Sequence, residues 1–349
     1  MAKIKFDLEK GILDFIHKHP NSSSREIYEG LGNIVAFATV KRTINIVLEK
    51  NLVASTGRGK STRYALSKAF DILVPIDIET YFEKEIDERK IKEAFNFNLI
   101  KETLKNVLIF TKEEIEKLSN LQNQFSANIS KLSVTEFNKE FERLAIDLSW
   151  KSSQIEGNTY SLLETERLLK EKETAAGKTK DEAVMLLNHK EALDFILANP
   201  DYISPLAVSR IEDIHSLLID GLGIDRNIRN RRVGISGTNY KPLDNEFQIK
   251  EALQDLCLLI NSRESILDKS FLALVLLSYI QPFSDGNKRT ARIISNAILI
   301  NNKYCPISFR TVDSIDYKKA MLVFYEQNNI SVFKKIFIEQ FEFAVNTYF

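Results

Sequence analysis

Apolar positions in this chain recur mostly at helical spacing. Leu8, Ile12, Phe15 and Ile16 form one face of a first helix that Pro20 closes. Ser22-Ser-Ser-Arg-Glu26 offers a capping-box start for a short helix through Tyr28 and Leu31. A third helix is predicted from about Ala38 to Lys50, with Val40, Ile44, Val47 and Leu48 inward. The period then switches to two. Leu52–Ser55 and Ser61–Leu66 alternate like strands around Gly57-Arg-Gly59, a hairpin signal. Residues 71–144 read as a helical linker: an extended start at Val74, an amphipathic charged helix over Glu83–Lys105, a helix start at Thr111, and a helix over Ser133–Asp147 leading to Trp150. Beyond it, helical patterns cover 161–172, 181–198, 204–220, 246–262, 269–280, 287–302, 314–326 and 331–346, and Lys170–Lys180 reads as a solvated loop.

The order of helix, helix, helix and hairpin over residues 1–70 resembles a winged helix-turn-helix. Lys41 and Arg42 then fall on the recognition helix, and Arg58, Lys60 and Arg63 on the wing, where DNA phosphate contacts are expected. Charge agrees with that placement. The 349 residues carry 48 Lys plus Arg and 48 Asp plus Glu, so the chain is neutral overall. Residues 1–70 nevertheless hold twelve basic side chains against six acidic ones, which leaves the body acidic. Docking or dimerisation is the competing use of such a head. Ala54–Ser61 also fits a relaxed P-loop spacing, but a P-loop runs strand, loop, helix, whereas Thr62–Leu66 reads as a strand.

Other composition excludes more than it assigns. Cys257 and Cys305 stand singly in apolar surroundings and read as reduced core residues. His17, His19, His189 and His215 form no ligand cluster, and His215 reads as a packed core histidine. The N-terminus carries no apolar signal stretch, and Phe271–Ile280 is too short to span a bilayer, so a cytoplasmic protein without membrane contact is expected.

The candidate chemistry sits in Gln281-Pro-Phe-Ser-Asp-Gly-Asn-Lys-Arg-Thr-Ala-Arg292. An acid, a Gly-Asn pair and three cations stand between an apolar helix and a second helical pattern. Free N–H groups and the dipole of a helix N-terminus favour anions. Cations there oppose the dipole, which points to a bound polyphosphate. Asp285 suits Mg²⁺ as a hard oxygen ligand, and Arg289 and Arg292, three apart, share a helix face.

This run resembles the Fic family signature H-x-F-x-[DE]-G-N-[GK]-R-x-x-R. Phe283, Asp285, Gly286, Asn287, Lys288, Arg289 and Arg292 match it, while Gln281 occupies the histidine position. Ser152-Ser-Gln-Ile-Glu156-Gly157 is similar to the family's inhibitory-helix pattern, Arg232–Pro242 to its β-hairpin flap, and Asp316-Tyr317-Lys-Lys-Ala320 to its nucleotide-side helix. The resemblance spans roughly residues 145–345. It implies a mainly α architecture: an all-helical Fic core with a β-hairpin flap (145–346, inhibitory helix about 145–157), behind a small α+β winged helix-turn-helix domain and a helical linker.

The same resemblance implies ATP and Mg²⁺ as cofactors and AMP transfer to a hydroxyl of a target protein. Asp285 would hold the metal, while Gly286, Asn287, Lys288, Arg289 and Arg292 bind phosphates and Tyr317 stacks near adenine. Ser152 and Glu156 would form a brake on Arg292. Gly234, Ile235, Ser236, Gly237, Thr238, Asn239 and Tyr240 would clamp the target by β-augmentation. Gln281, at the position of the family's base, has no titrating group near neutrality, and a lost base costs about 10²–10⁴-fold. Three readings stay open: a weakened, autoinhibited adenylyltransferase, a nucleotide-binding pseudoenzyme with output through the winged head, and a de-adenylylase using Glu156. Lys288 also occurs in relatives that transfer phosphate, so the transferred group stays open, and so does a homodimer.

Overall fold

A computed structural model describes residues 7–349. The head begins with α1 (Leu8–Lys18), α2 (Ser24–Gly30) and α3 (Phe37–Glu49). Their inward residues Ile12, Ile16, Ile27, Val40, Ile44 and Val47 are buried together. Local chemistry sets the starts. The Asp7 carboxylate accepts from the Lys10 N–H, and Ser23 and Glu26 form a reciprocal capping box. Strands β1 (Val53–Thr56) and β2 (Arg63–Leu66) pair antiparallel, with Val53 opposite Leu66 and Thr56 opposite Arg63. Gly57 has φ +78°, and a Cβ there would lie 2.6 Å from the Ser61 carbonyl oxygen. The P-loop-like spacing is therefore the turn of a hairpin.

Helices α4 (Phe70–Leu73) and α5 (Ile78–Phe82) follow. The helix expected over Glu83–Lys105 is not formed. Short turns at Ile86–Glu88 and Leu99–Asn106 flank an extended stretch. Its backbone groups bond across the molecule instead: Lys92 N–H donates to the Glu326 carbonyl (2.9 Å) and Asn96 N–H to the Tyr279 hydroxyl (2.9 Å). Tertiary partners thus override helical propensity. Capping boxes at Thr111 and Ser133 open α6 (Lys112–Ile129) and α7 (Val134–Ile155). Helix α7 is unbroken through residue 145, so no loop separates the linker from the segment that carries Ser152 and leads to Glu156.

The body continues with α8 (Leu162–Glu171), α9 (Lys180–Ala198), α10 (Val208–Leu218), α11 (Glu246–Ser262), α12 (Ile266–Ile280), α13 (Asn287–Asn301), α14 (Ser314–Gln327) and α15 (Ser331–Tyr348). Helix α12 is apolar all round because every residue from Ser270 to Ile280 is buried. Its serines are satisfied: Ser278 donates to the Leu274 carbonyl (2.9 Å), and Ser270 bonds Ser295 on α13 (2.8 Å). The α12–α13 pair is the central core element that the other helices surround. Among the described residues, no helix is long and apolar enough to cross a membrane.

Leu274, fully buried on α12, tests that arrangement. Leu274→Ala should destabilise the body by about 2–5 kcal/mol, read as a lower urea midpoint. A change within about 0.5 kcal/mol would place α12 at the surface.

Candidate active site

The loop between α12 and α13 is fixed at both ends by left-handed residues, Gln281 (φ 52°) and Gly286 (φ 79°). A Cβ on Gly286 would lie 3.3 Å from the Ile219 side chain and 3.4 Å from the His215 ring, so any other residue would be both crowded and strained there. Asn287 closes the loop on itself. Its Nδ2 donates to the Phe283 carbonyl (2.8 Å), and its Oδ1 accepts the Phe283 N–H (2.8 Å). That amide holds the loop in shape, and Asn287 also lines the cleft beside Asp285, Lys288 and Arg289.

Two residues that the sequence did not single out for the site complete the frame. Buried Arg229 donates from Nε to the Gln281 carbonyl (2.7 Å), and its backbone N–H bonds the Pro282 carbonyl (3.0 Å). His215 stacks flat on Phe283, with centroids 3.6 Å apart, and its Nε2 lies 3.0 Å from the Asp285 carbonyl oxygen. Burial drives its pKa down to about 4, so the neutral ring donates through Nε2–H. It is a buried histidine, as expected, with a specific partner.

Gln281 is nearly buried and its amide is occupied. Nε2 donates to the Ser278 carbonyl (2.7 Å) and approaches the Tyr325 hydroxyl (3.4 Å), while Oε1 accepts from Asn287 Nδ2 (3.1 Å). Asp285 stands at the lip of the cleft with its side chain 65% exposed, its Oδ1 held by the Gly286 N–H (2.6 Å). Among the described residues, no group of three His, Cys, Asp or Glu side chains could hold a metal unaided. One exposed carboxylate suits Mg²⁺ that arrives with phosphates, since Mg²⁺ commonly takes one or two carboxylates plus substrate oxygens.

The expected cations are brought together. Arg289 and Arg292 are both buried on α13. Arg289 Nη2 lies 3.4 Å from Asp285 Oδ2. Arg292 donates from Nε to the Ser152 hydroxyl (2.8 Å) and from Nη2 to the Ser152 carbonyl (2.9 Å) and Glu156 Oε1 (2.8 Å). Lys288 Nζ lies 3.4 Å from Glu156 Oε2. Both oxygens of Glu156, at the C-terminal end of α7, therefore face cations. Burial works to raise the Glu156 pKa, but Arg292 and then Lys288 outweigh it and hold the carboxyl below its ordinary value.

Two expectations need correction. Tyr317 meets the inner wall of the cleft but offers no open ring face. It is fully buried, edge-on to Phe309 and Phe333, with the Arg292 guanidinium 5.3 Å from its centroid, so it backs the arginine and cannot stack on a base. The flap forms no β-hairpin: residues 232–242 contain one isolated bridge, Lys241 to Ala94. Its polar groups bond elsewhere. The Gly237 carbonyl accepts from Arg89 (2.8 Å), Asn239 donates to Asp87 (3.0 Å), the Thr238 hydroxyl accepts the Tyr240 N–H (3.1 Å), and buried Tyr240 donates to the Tyr279 carbonyl (3.2 Å). Gly234, Ile235 and Ser236 line a cleft of about 400 Å³ with Gln281, Asp285, Lys288 and Arg289.

In the head, Lys41, Arg42, Arg58 and Lys60 are exposed and Arg63 is half-buried, donating to the Thr62 carbonyl (3.2 Å). A larger cavity of about 890 Å³ lies between head and body, lined by mixed charges such as Lys50, Glu113 and Lys334, and contains none of the motif residues.

Residues 205–299 match the Fic/DOC family, and residues 7–124 match the Penicillinase repressor family. The Protein adenylyltransferase Fic of Nematostella vectensis is 31% identical over 183 residues, covering 48% of this chain and 40% of that protein. Its namesake in Aedes aegypti is 32% identical over 171 residues, covering 45% and 32%. The chain thus spans less than half the length of these curated relatives. Among solved structures, Fic-1 from C. elegans superposes with a TM-score of 0.59 at 19% identity, over 68% of this chain and 72% of that one. A Fic family protein from Desulfovibrio desulfuricans G20 gives 0.55 at 21%, over 68% and 74%. At these identities the superpositions speak for the fold. Sequence match and fold agree that this chain carries a Fic/DOC domain at residues 205–299, in a body folded like solved Fic proteins, behind a winged-helix-like segment within residues 7–124.

Proposed function

We propose that this chain is a protein adenylyltransferase held off by its own Glu156. The observation that carries the reading is the Glu156 carboxylate seated between Arg292 and Lys288, an internal anion where a nucleotide's terminal phosphate would bind. The adenylyltransferase names of its relatives support AMP transfer. In that reaction a target hydroxyl oxygen attacks the α-phosphorus of ATP and the bond to pyrophosphate breaks. Arg289 and the first-turn N–H groups of α13 steady charge on the departing phosphates, and Gly234–Ser236 align the target backbone. Mg²⁺ with Asp285 would supply charge neutralisation on the phosphates. Nothing at residue 281 takes the hydroxyl proton near neutrality, so turnover is slow. One observation favours a second reading, a nucleotide-binding pseudoenzyme: the Gln281 amide is already hydrogen-bonded at both ends.

Intact mass spectrometry after incubation with Mg²⁺ and ATP separates these readings. Glu156→Gly should gain an adenylyl mass that the natural protein lacks. An adduct seen only when Gln281→His is added would establish the pseudoenzyme, and a phosphoryl mass would reassign the transferred group.

The brake has a pH sign. A carboxyl whose folded pKa is depressed contributes stability above its unfolded pKa of about 4.3 and loses it as pH falls through the folded value. Glu156→Gln should therefore melt below the natural protein at pH 7, and the gap should close under acid, below about pH 4. A gap that widens on acidification contradicts the pairing.

For the head we propose DNA binding, supported by the Penicillinase repressor match and the exposed basic side chains. Five phosphate contacts imply an affinity loss on the order of 10²–10³-fold between about 50 and 200 mM salt. A gel-shift constant that stays flat over that range removes DNA as the partner.

A further inference from the structure

The flap makes a sharp turn at Gly237, where φ is +87° and an added Cβ would lie 3.3 Å from the Leu322 side chain. The handle on that turn comes from outside the Fic domain. Arg89, in the extended stretch after α5, donates from Nη2 to the Gly237 carbonyl (2.8 Å). Its Nη1 lies 3.2 Å from Glu326 Oε1, with the two side chains only 3% and 0% exposed. The Tyr81 hydroxyl donates to Glu326 Oε2 (2.5 Å), and the Phe82 ring centroid is 5.0 Å from the guanidinium. Two further contacts come from the same stretch: Asp87 accepts from Asn239 (3.0 Å), and the Glu93 carbonyl accepts the Lys241 N–H (2.7 Å).

A buried ion pair is a poor stabiliser, because desolvation of both charges roughly cancels their attraction and an apolar pair of similar volume often does as well. The guanidinium does offer something an apolar side chain cannot. Its planar fork lets one nitrogen lie 3.2 Å from the carboxylate as a charge contact while the other donates an N–H to the Gly237 carbonyl. With residues 237–241 tied down on the linker side, Gly234–Ser236 are left facing the cleft. We propose that Arg89 is a positioning residue for target docking, supplied by the linker to hold the flap in its docking conformation, with Glu326 as its buried counter-charge. The docking role of the flap rests on the adenylyltransferase reading above, but the test does not need transfer activity.

The test is hydrogen exchange by mass spectrometry over residues 232–242 in the full chain, with melting temperature followed in parallel. Arg89→Lys keeps a cation beside Glu326 but cannot span to Gly237. It should retain a near-natural melting temperature while flap exchange accelerates by about tenfold. Glu326→Gln leaves the Arg89–Gly237 bond in place, so flap exchange should stay natural even as melting falls. Mg²⁺–ATP affinity, measured in a Glu156→Gly background, should be unaffected by Arg89→Lys. Natural flap exchange in Arg89→Lys would overturn the proposal. Flap loosening in Glu326→Gln equal to that in Arg89→Lys would also overturn it, by reducing Arg89 to an ordinary structural residue.

Discussion

A fully buried guanidinium needs an anion, and much of the site's architecture answers that demand. Arg292 has no exposed surface, and an unpaired charge in such a place costs several kcal/mol (about 3–5 when a partner is removed). Glu156 answers it only because α7 ends where it does, one helical turn past Ser152, whose hydroxyl and carbonyl take two more of the arginine's N–H groups. Tyr317 lies behind the guanidinium as an apolar wall with a negative face. Removing the glutamate alone leaves a buried positive charge without its carboxylate partner.

Much of this was legible in the residues because the devices are local. Ser or Thr followed by Glu at the third position opens α2, α6, α7, α8 and α9 as capping boxes. The all-apolar run of α12 announces a helix buried on every side. The order Asp285-Gly286-Asn287 announces a loop that needs a left-handed glycine. The wing is equally local, since alternation and Gly57 suffice to set it.

What could not be read depends on distant partners. Residues 83–105 have helical periodicity, yet their N–H groups find Glu326 and Tyr279, more than 180 positions away. The flap has a hairpin's glycines but no ladder, because Arg89, Asp87 and Tyr279 take its polar groups. Tyr317 has the right spacing for a nucleotide-facing helix, and only packing against Phe309 and Phe333 turns it inward. Arg229 stands in a basic stretch that gives no hint that one member is buried against the Gln281 carbonyl. Specific side-chain geometry across the core leaves no periodic trace.

The glutamate's position at the tip of a 22-residue helix has a consequence for how tightly the site is shut. The last turn is pinned on both sides: Ile155 before the glutamate is fully buried, and Asn158 after it donates to the Glu182 carbonyl (2.8 Å). Gly157, with φ +104° and nothing within 4 Å of an added Cβ, supplies the bend between these anchors. On the proposed reading the resting protein is a latched valve, and release asks a competing anion to take over the arginine while the backbone around the glutamate stays in place.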